Sequence, residues 1–268
     1  MKKRGKTFYI GLIICGMILI FLLVGFFVNP DKVNEMDLAN KLAKPSASHW
    51  FGCDNFGRDI FARVQSGLRM TLYISTLSVL IGATIGTISG ALTGYFGGIT
   101  DVVIMRIMDV LFAIPSIILS LVFIGVLGKG TGNVIVALGL AAAPSFAKMM
   151  RTEFIKQKEM DYVKAARLMG AGPVRILFVH ILPNVAPTLL TCIFIAFNNI
   201  CLAEAGLSYL GVGVEAPLCS LGGMIADAQS YLRQAPFYVF FPGFVLIVML
   251  LGLGLLSEGG ALNRAYRK

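Results

Sequence analysis

The chain has 268 residues, 57% of them hydrophobic and 14% charged, with a mean hydropathy of +0.81. A soluble domain carries about a quarter charged residues, so this balance excludes a water-soluble globular class. Several long apolar runs specify an all-α, multi-span membrane protein instead. The net charge of +9 does not call for nucleic acid, because Lys and Arg gather in the cytoplasmic loops of membrane proteins.

The first expected unit, residues 1–28, opens with Lys2, Lys3, Arg4 and Lys6 and continues as an uncharged run, Phe8 to Val28. It ends Gly-Phe-Phe-Val-Asn-Pro rather than in a small-residue cleavage site, so it reads as an uncleaved span with a basic, cytoplasmic N-terminus. Residues 29–71 form an extracytoplasmic segment. Gly52 and Gly57 suggest tight turns. Asp59 and Arg63 fall four apart and are expected to pair on a helix. Phe56, Ile60, Phe61 and Val64 could give that helix an apolar face to lie along the membrane surface, the alternative being a solvated loop with one amphipathic turn.

Residues 72–258 hold five further spans. The second, Leu72 to Tyr95, carries Gly82, Gly86, Gly90 and Gly94 at four-residue intervals. These form one stripe on a helix, where missing side chains let another helix approach closely, in this chain or in a second one. Phe96 to Thr100 is a turn. The third span, Asp101 to Leu127, is expected to pair Arg106 with Asp109 and to kink at Pro115. The fourth runs from Val134 to about Phe146, short unless it continues through Met149-Met150, with Pro144 weakening its cytoplasmic end. The fifth, Pro183 to Ala203, carries Asn198 and Asn199, amides that need a partner helix or a wet pathway. Pro115, Asn198 and Asn199 are therefore the pathway or gating candidates. Glu204 is expected near the outer interface. Ala205 to Phe237 folds back against the bundle, Val239 to Leu256 is the sixth span, and 259–268 is a cytoplasmic tail. Counting Lys and Arg by side puts 15 inside and 8 outside, which supports six spans with both termini cytoplasmic.

Five cysteines (Cys15, Cys53, Cys192, Cys201, Cys219) show no metal spacing, and His49 and His180 are the only histidines. Cys53 and Cys219 fall in loops on the same side, where a disulfide is the minor alternative to two free thiols. No clustered nucleophile, acid–base pair or metal set is evident, so neither catalysis, nor a cofactor, nor a metal is expected. Gly128-Lys-Gly-Thr-Gly lacks the phosphate-loop pattern.

The polar island between spans four and five, residues 151–183 with Lys148 at its edge, is the informative stretch. Lys156 to Met169 fits a helix that Gly170 can close, and Pro173 can open a second short helix ending near Val179. Small residues at such a corner leave room for a partner surface. The order Ala165-Ala166, Gly170, Leu182-Pro183 resembles the EAA loop of bacterial ABC-importer permeases, whose pattern is Glu-Ala-Ala, three residues, Gly, about a dozen more, then Leu-Pro. Lys164 stands at the glutamate position with reversed charge. Phe51-Gly-Cys-Asp54-Asn-Phe-Gly57-Arg58-Asp59-Ile-Phe-Ala-Arg resembles the signature after the first span of the second (C-type) permease subunit in the dipeptide, oligopeptide and nickel branch. There Cys53 replaces the usual threonine. Met105-Arg-Ile-Met-Asp-Val, Asp161-Tyr-Val-Lys-Ala-Ala-Arg, His180-Ile-Leu-Pro-Asn and Gly206-Leu-Ser-Tyr-Leu-Gly-Val-Gly-Val match as well, whereas Gly252-Leu-Gly-Leu-Leu-Ser-Glu-Gly-Gly-Ala departs from the family's usual ending.

The resemblance implies a type I ABC-importer permease fold in a bacterial inner membrane. It also implies a homologous second permease, two cytoplasmic ATPases, an extracytoplasmic solute-binding protein and surrounding lipid as partners. Asp161, Lys164, Ala165, Ala166, Arg167, Gly170, Leu182 and Pro183 would couple to the ATPase, and ATP hydrolysis would lie in those separate subunits. Peptide is the expected cargo, with nickel or a metal chelate as the alternative. An ion-coupled secondary transporter is a more distant reading, because internal repeats and midplane charges are not evident.

Overall fold

The computed structural model describes the backbone of residues 6–25 and 33–265 and the side chains of residues 7–25 and 33–257. The expectations for Lys2, Lys3, Arg4, residues 26–32, Arg267 and Lys268 lie outside the described residues. The helices are α1 (Lys6–Val24), α2 (Ile60–Phe96), α3 (Gly98–Phe112), α4 (Ser116–Leu127) and α5 (Thr131–Lys158). They continue as α6 (Asp161–Leu168), α7 (Pro173–Arg175), a π-helical turn Ile176–Ile181, α8 (Leu182–Tyr209), α9 (Leu221–Gln229) and α10 (Pro236–Ala265). Among the described residues, five helices are long and apolar enough to cross a membrane, and α3 with α4 makes a sixth if that bent pair is one span.

The axis of the bundle is the α2–α5 pair. The partner of the glycine stripe, open from the sequence, is α5 of this chain. A Cβ on Gly82 would lie 2.8 Å from the Gly139 carbonyl oxygen, one on Gly90 2.6 Å from that of Ala147, and one on Gly94 2.8 Å from that of Arg151. Ser78 extends the seam by donating from Oγ to the Ile135 carbonyl (3.0 Å). Helices in lipid gain little from apolar burial between them, so this backbone-to-backbone packing is what holds the pair. It also explains why α5 continues through buried Pro144 to Lys158 instead of ending near Phe146: packing on α2 offsets the backbone bond that proline removes.

Three apolar layers stack along this axis. The outer one joins the start of α2 (Ile60, Val64, Leu68) to α9 and α10 (Leu221, Met224, Tyr238). The middle one joins α2, α5 and α8 through Ile74, Leu138, Phe146, Ile200 and Leu207. The cytoplasmic one gathers Tyr95, Met150, Phe154, Val163, Ile176 and Ile181. Outside this stack, α1 lies on α10, with Gly252 against Ile14 and Gly11 against the Leu256 backbone.

Several local expectations are revised. Ile60 and Val64 do not lie on a membrane surface. They are fully buried in the first turns of α2, which runs unbroken for 37 residues. The span break at Pro115 is a 98° bend between α3 and α4, not a kink. The turn between the second and third spans shrinks to Gly97, whose φ of +68° ends α2. Asp109 bonds Lys148 on α5 (2.8 Å), not Arg106, and nearby Asp101 forms a two-pronged pair with Arg151 (2.5 and 2.6 Å). These bridges tie α3 to α5 across distant sequence. The last helix starts before Val239 and continues past Leu256 to Ala265.

Candidate functional site

The cytoplasmic corner is built on α6. The expected helix Lys156–Met169 is interrupted, because α5 ends at Lys158 and extended Met160 precedes a new start at Asp161. Gly170, at φ +83°, closes α6. Its N–H bonds the Arg167 carbonyl and the Ala171 N–H bonds the Ala166 carbonyl, both at 3.0 Å. That pair of bonds is the Schellman arrangement, which requires the left-handed residue. A Cβ at Gly170 would meet nothing within 4 Å, so glycine is needed for conformation and not for space.

The corner has an inner and an outer face. Val163 and Ala166 are buried against the cytoplasmic layer, and Leu182 packs there too. Asp161, Lys164, Ala165, Arg167 and Pro183 face outward. The two neighbouring alanines therefore do different things: Ala166 packs the corner and Ala165 presents a smooth surface. Beyond them Leu168 (89% exposed) and Met169 (80%) form an apolar knob, with Val174 beside it. The Arg167 guanidinium lies 5.8 Å from the Tyr95 ring of α2, and Tyr162 donates to Gln157 Oε1 (2.8 Å). Among the described residues Lys164 pairs within its own turn, 3.4 Å from Asp161. Both side chains are well exposed, so that pair adds little stability and Lys164 is available to a partner.

The second short helix expected after Pro173 is instead the start of a long one. α7 passes through the π turn into α8 without interruption, giving one rod from Pro173 to Tyr209. Asn184 donates from its side chain to the His180 carbonyl (2.7 Å) where the wide turn meets α8. Such π turns mark functional places in helices.

Between α4, α5 and α8 lies a half-open cavity of about 300 Å³. Ser116, Ser120, Ser145 and Asn199 supply its polar lining, and Phe146, Met149 and Ile195 part of its apolar wall. The break at Pro115 is what turns Ser116 and Ser120 into it. Asn198 does not line it, and its buried Oδ1 accepts no hydrogen bond among the described residues.

Sequence reasoning missed the role of Glu204. It lies near the outer end of α8 but is fully buried, not at an interface. Thr71 of α2 donates to one carboxylate oxygen (2.8 Å) and Ser208 to the other (2.7 Å). This ties α8 to α2 beside the cavity's outer end. The signal was present as an acid beside an apolar span, with a serine four residues on.

Residues 33–59 fold into a compact knot over the outer ends of α1, α2 and α10. Asp54, fully buried, is its centre. One carboxylate oxygen accepts the N–H groups of Phe56 (2.8 Å) and Arg58 (2.9 Å), and the other accepts Arg58 Nε (2.6 Å). Arg63 Nε stands 3.5 Å from the same carboxylate. The expected Asp59–Arg63 pair is therefore replaced. Asp59 accepts the Ala62 N–H at the start of α2 (2.9 Å) and pairs with His49 Nδ1 (2.8 Å). Gly57, at φ +74°, presses against the Asp37 backbone, leaving no room for a side chain.

Cys53 and Cys219 are free thiols, both buried. Burial, and then the carboxylates of Asp59, Asp54 and Asp37, push the Cys53 thiol up to about 11. The reactive thiolate is thus scarce at neutral pH and grows about tenfold per pH unit towards that value. Treatment of the native chain with a polar maleimide at pH 7 is expected to leave Cys53 unmodified by mass spectrometry, with labelling only after denaturation. Rapid native labelling would contradict the knot.

Taken together, these features define an integral membrane subunit with a polar-lined cleft between helices and a helical cytoplasmic corner that exposes apolar side chains among charged ones. Residues 82–262 match the family model described as binding-protein-dependent transport system inner membrane component. The chain belongs to that family and is a permease component of such a system. Its relatives include the dipeptide transport system permease protein DppC of Alkalihalophilus pseudofirmus, 34% identical over 96% of this chain and 84% of that one. The oligopeptide transport system permease protein OppC of Bacillus subtilis is 34% identical over 99% and 88%. The nickel transport system permease protein NikC of Escherichia coli K12 is 35% identical over 93% and 90%. Among solved structures, an inward-facing MetNI methionine ABC transporter chain aligns with a TM-score of 0.59 at 22% identity, covering 76% of this chain and 95% of that chain. At that identity the likeness speaks for the fold.

Proposed function

We propose that this permease forms half of the translocation pathway of an ATP-driven importer for peptides. A homologous second permease completes the pathway, an extracytoplasmic binding protein delivers the solute, and two ATPase subunits hydrolyse the ATP. One ATPase grips the corner at Gly170. Leu168 and Met169 enter an apolar cleft on it, while Lys164, Arg167 and Arg175 face its rim. The single observation that carries this reading is that knob, Leu168 and Met169 being the most exposed apolar side chains of a loop whose outer face also carries Lys164, Arg167 and Arg175. An apolar patch ringed by charge marks a protein contact.

The cavity supports the peptide cargo. Its lining of three serines and Asn199 offers neutral donors and acceptors, which suit the amide groups of many peptides without selecting side-chain charge. The nickel or metal-chelate alternative draws on the relative that transports nickel. Uptake of a labelled dipeptide against uptake of nickel, in vesicles holding the whole complex, separates the two, and a requirement for ATP rather than an ion gradient excludes a secondary transporter.

Ala165→Trp and Leu168→Asp are expected to leave the chain inserted and folded while uptake falls about tenfold or more, the equivalent of roughly 1.4 kcal/mol or more of lost docking. Ala166→Trp tests something else, because its side chain is enclosed, and should destabilise α6 itself. Full uptake by the Ala165→Trp, Leu168→Asp double variant would rule out docking at this corner.

A further inference from the structure

The outer ends of α1, α2 and α10 carry a connected band of aromatic rings. Phe61, in the first turn of α2, meets Phe21 of α1 edge-on at 5.6 Å between centroids. It takes Trp50 at 5.1 Å and Phe51 at 5.0 Å in the same manner. Phe51 stacks flat on Phe241 of α10 at 4.0 Å, and the series runs on through Phe240 to Phe244. The helices that bear this band are clad by little protein. On α1, Leu19, Ile20 and Leu23 are at least half exposed, as are Phe240 and Phe244 on α10. In a membrane those faces are available to lipid.

Trp50 and Phe51 are the members of the band outside a helix, and of the two Trp50 is the exposed one. It sits at the tip of the turn His49 to Gly52, closed by the Gly52 N–H on the His49 carbonyl (2.9 Å). That turn is fixed from behind, because His49 is paired to Asp59 at the N-terminus of α2 (2.8 Å). The indole is thus held in place, yet it remains 63% exposed. A large apolar ring with one N–H donor, rigidly presented and continuous with lipid-facing phenylalanines, has the chemistry of the membrane–water interface. Tryptophan is enriched there because its body is apolar and its N–H can stay wet.

We propose that the knot of residues 33–59 rests on the bilayer and that Trp50 inserts into the headgroup layer of the outer leaflet. The ring anchors the outer end of α2 to lipid. This side of the knot is then a membrane contact and not the landing surface for the solute-binding protein. The cavity side of the bundle, between α4, α5 and α8, remains open to that partner.

Trp50 is the sole tryptophan of the chain, which makes the test direct. The full-length chain is reconstituted in vesicles of phosphatidylethanolamine and phosphatidylglycerol and excited at the red edge, where tyrosine does not absorb. A blue-shifted emission is expected, losing about half its intensity with lipids brominated high on the acyl chain and less with lipids brominated near its end, as an interfacial depth requires. Quenching by aqueous acrylamide equal to that of free indole, with no effect of brominated lipid, would overturn the proposal. In the assembled importer, a benzoylphenylalanine photocrosslinker at position 50 is expected to capture phospholipid. Capture of the binding protein or of the second permease would assign the ring to that protein and refute the lipid contact.

Discussion

Gly86→Val is expected to prevent the chain from accumulating in a folded form. A Cβ at Gly86 would lie 2.5 Å from the Ala143 carbonyl oxygen and 2.9 Å from the Ala147 backbone nitrogen, with the Phe146 Cβ closer still. None of these is the tip of a flexible side chain, so α2 and α5 must separate along a seam four turns long. Overpacking in an ordinary core costs about 1–3 kcal/mol, and a clash with backbone on a central helix pair should reach or exceed the upper end. Gly125→Ala is the matching control, because a Cβ there meets nothing within 4 Å. Thermal unfolding in detergent, followed by the fraction remaining monodisperse, reads both variants. An unchanged melting temperature for Gly86→Val would mean that α2 and α5 do not pack in this register.

The second large effect belongs to Asp54→Ala. The carboxylate accepts two backbone N–H groups and one arginine N–H while fully enclosed, and Arg63 beside it is only 4% exposed. Removing it takes from a buried guanidinium its nearest counter-charge, and deleting one partner of a buried pair costs about 3–5 kcal/mol. The knot would loosen first. Limited proteolysis from the outer side should cut between residues 33 and 59 in the variant and spare the parent chain. Asp54→Asn retains an acceptor for the Phe56 and Arg58 N–H groups but not the charge, and should fall between the two. Equal resistance of Asp54→Ala and the parent would show that the carboxylate does not hold the knot.

The features legible in the sequence are those whose cause is local. Gly170 ends a helix because the residue itself adopts the left-handed backbone, and the pattern around it is enough to say so. The four-residue glycine spacing declares a close approach because the helix period alone aligns it. What the sequence did not disclose are choices among distant partners. Asp59 has Arg63 one turn away, yet the fold gives it His49. Arg63 instead approaches Asp54, and Asp109 reaches Lys148 rather than Arg106. In each case a local pair of modest worth is outbid by geometry that exists only once the helices have packed. The break between Lys158 and Asp161 has no glycine or proline to announce it. Ala165 and Ala166 look equivalent in a motif and are separated only by which way α6 faces.

The unbroken run from Pro173 to Tyr209 has a mechanical consequence. At 1.5 Å per residue it is a rod about 55 Å long, and its firmest polar attachment to α2, Thr71 to Glu204, lies close to one end. The arm on the cytoplasmic side of that fulcrum measures about 46 Å and the outer arm about 8 Å. Rotation about such a point has a mechanical ratio of roughly six to one. A swing of several ångströms at the Gly170 corner arrives beyond Glu204 as a displacement of about one, delivered with correspondingly greater force. A lever of these proportions would trade travel for leverage: were the rod to turn about Glu204, a wide swing at its inner end would become a small, forceful step at its outer one.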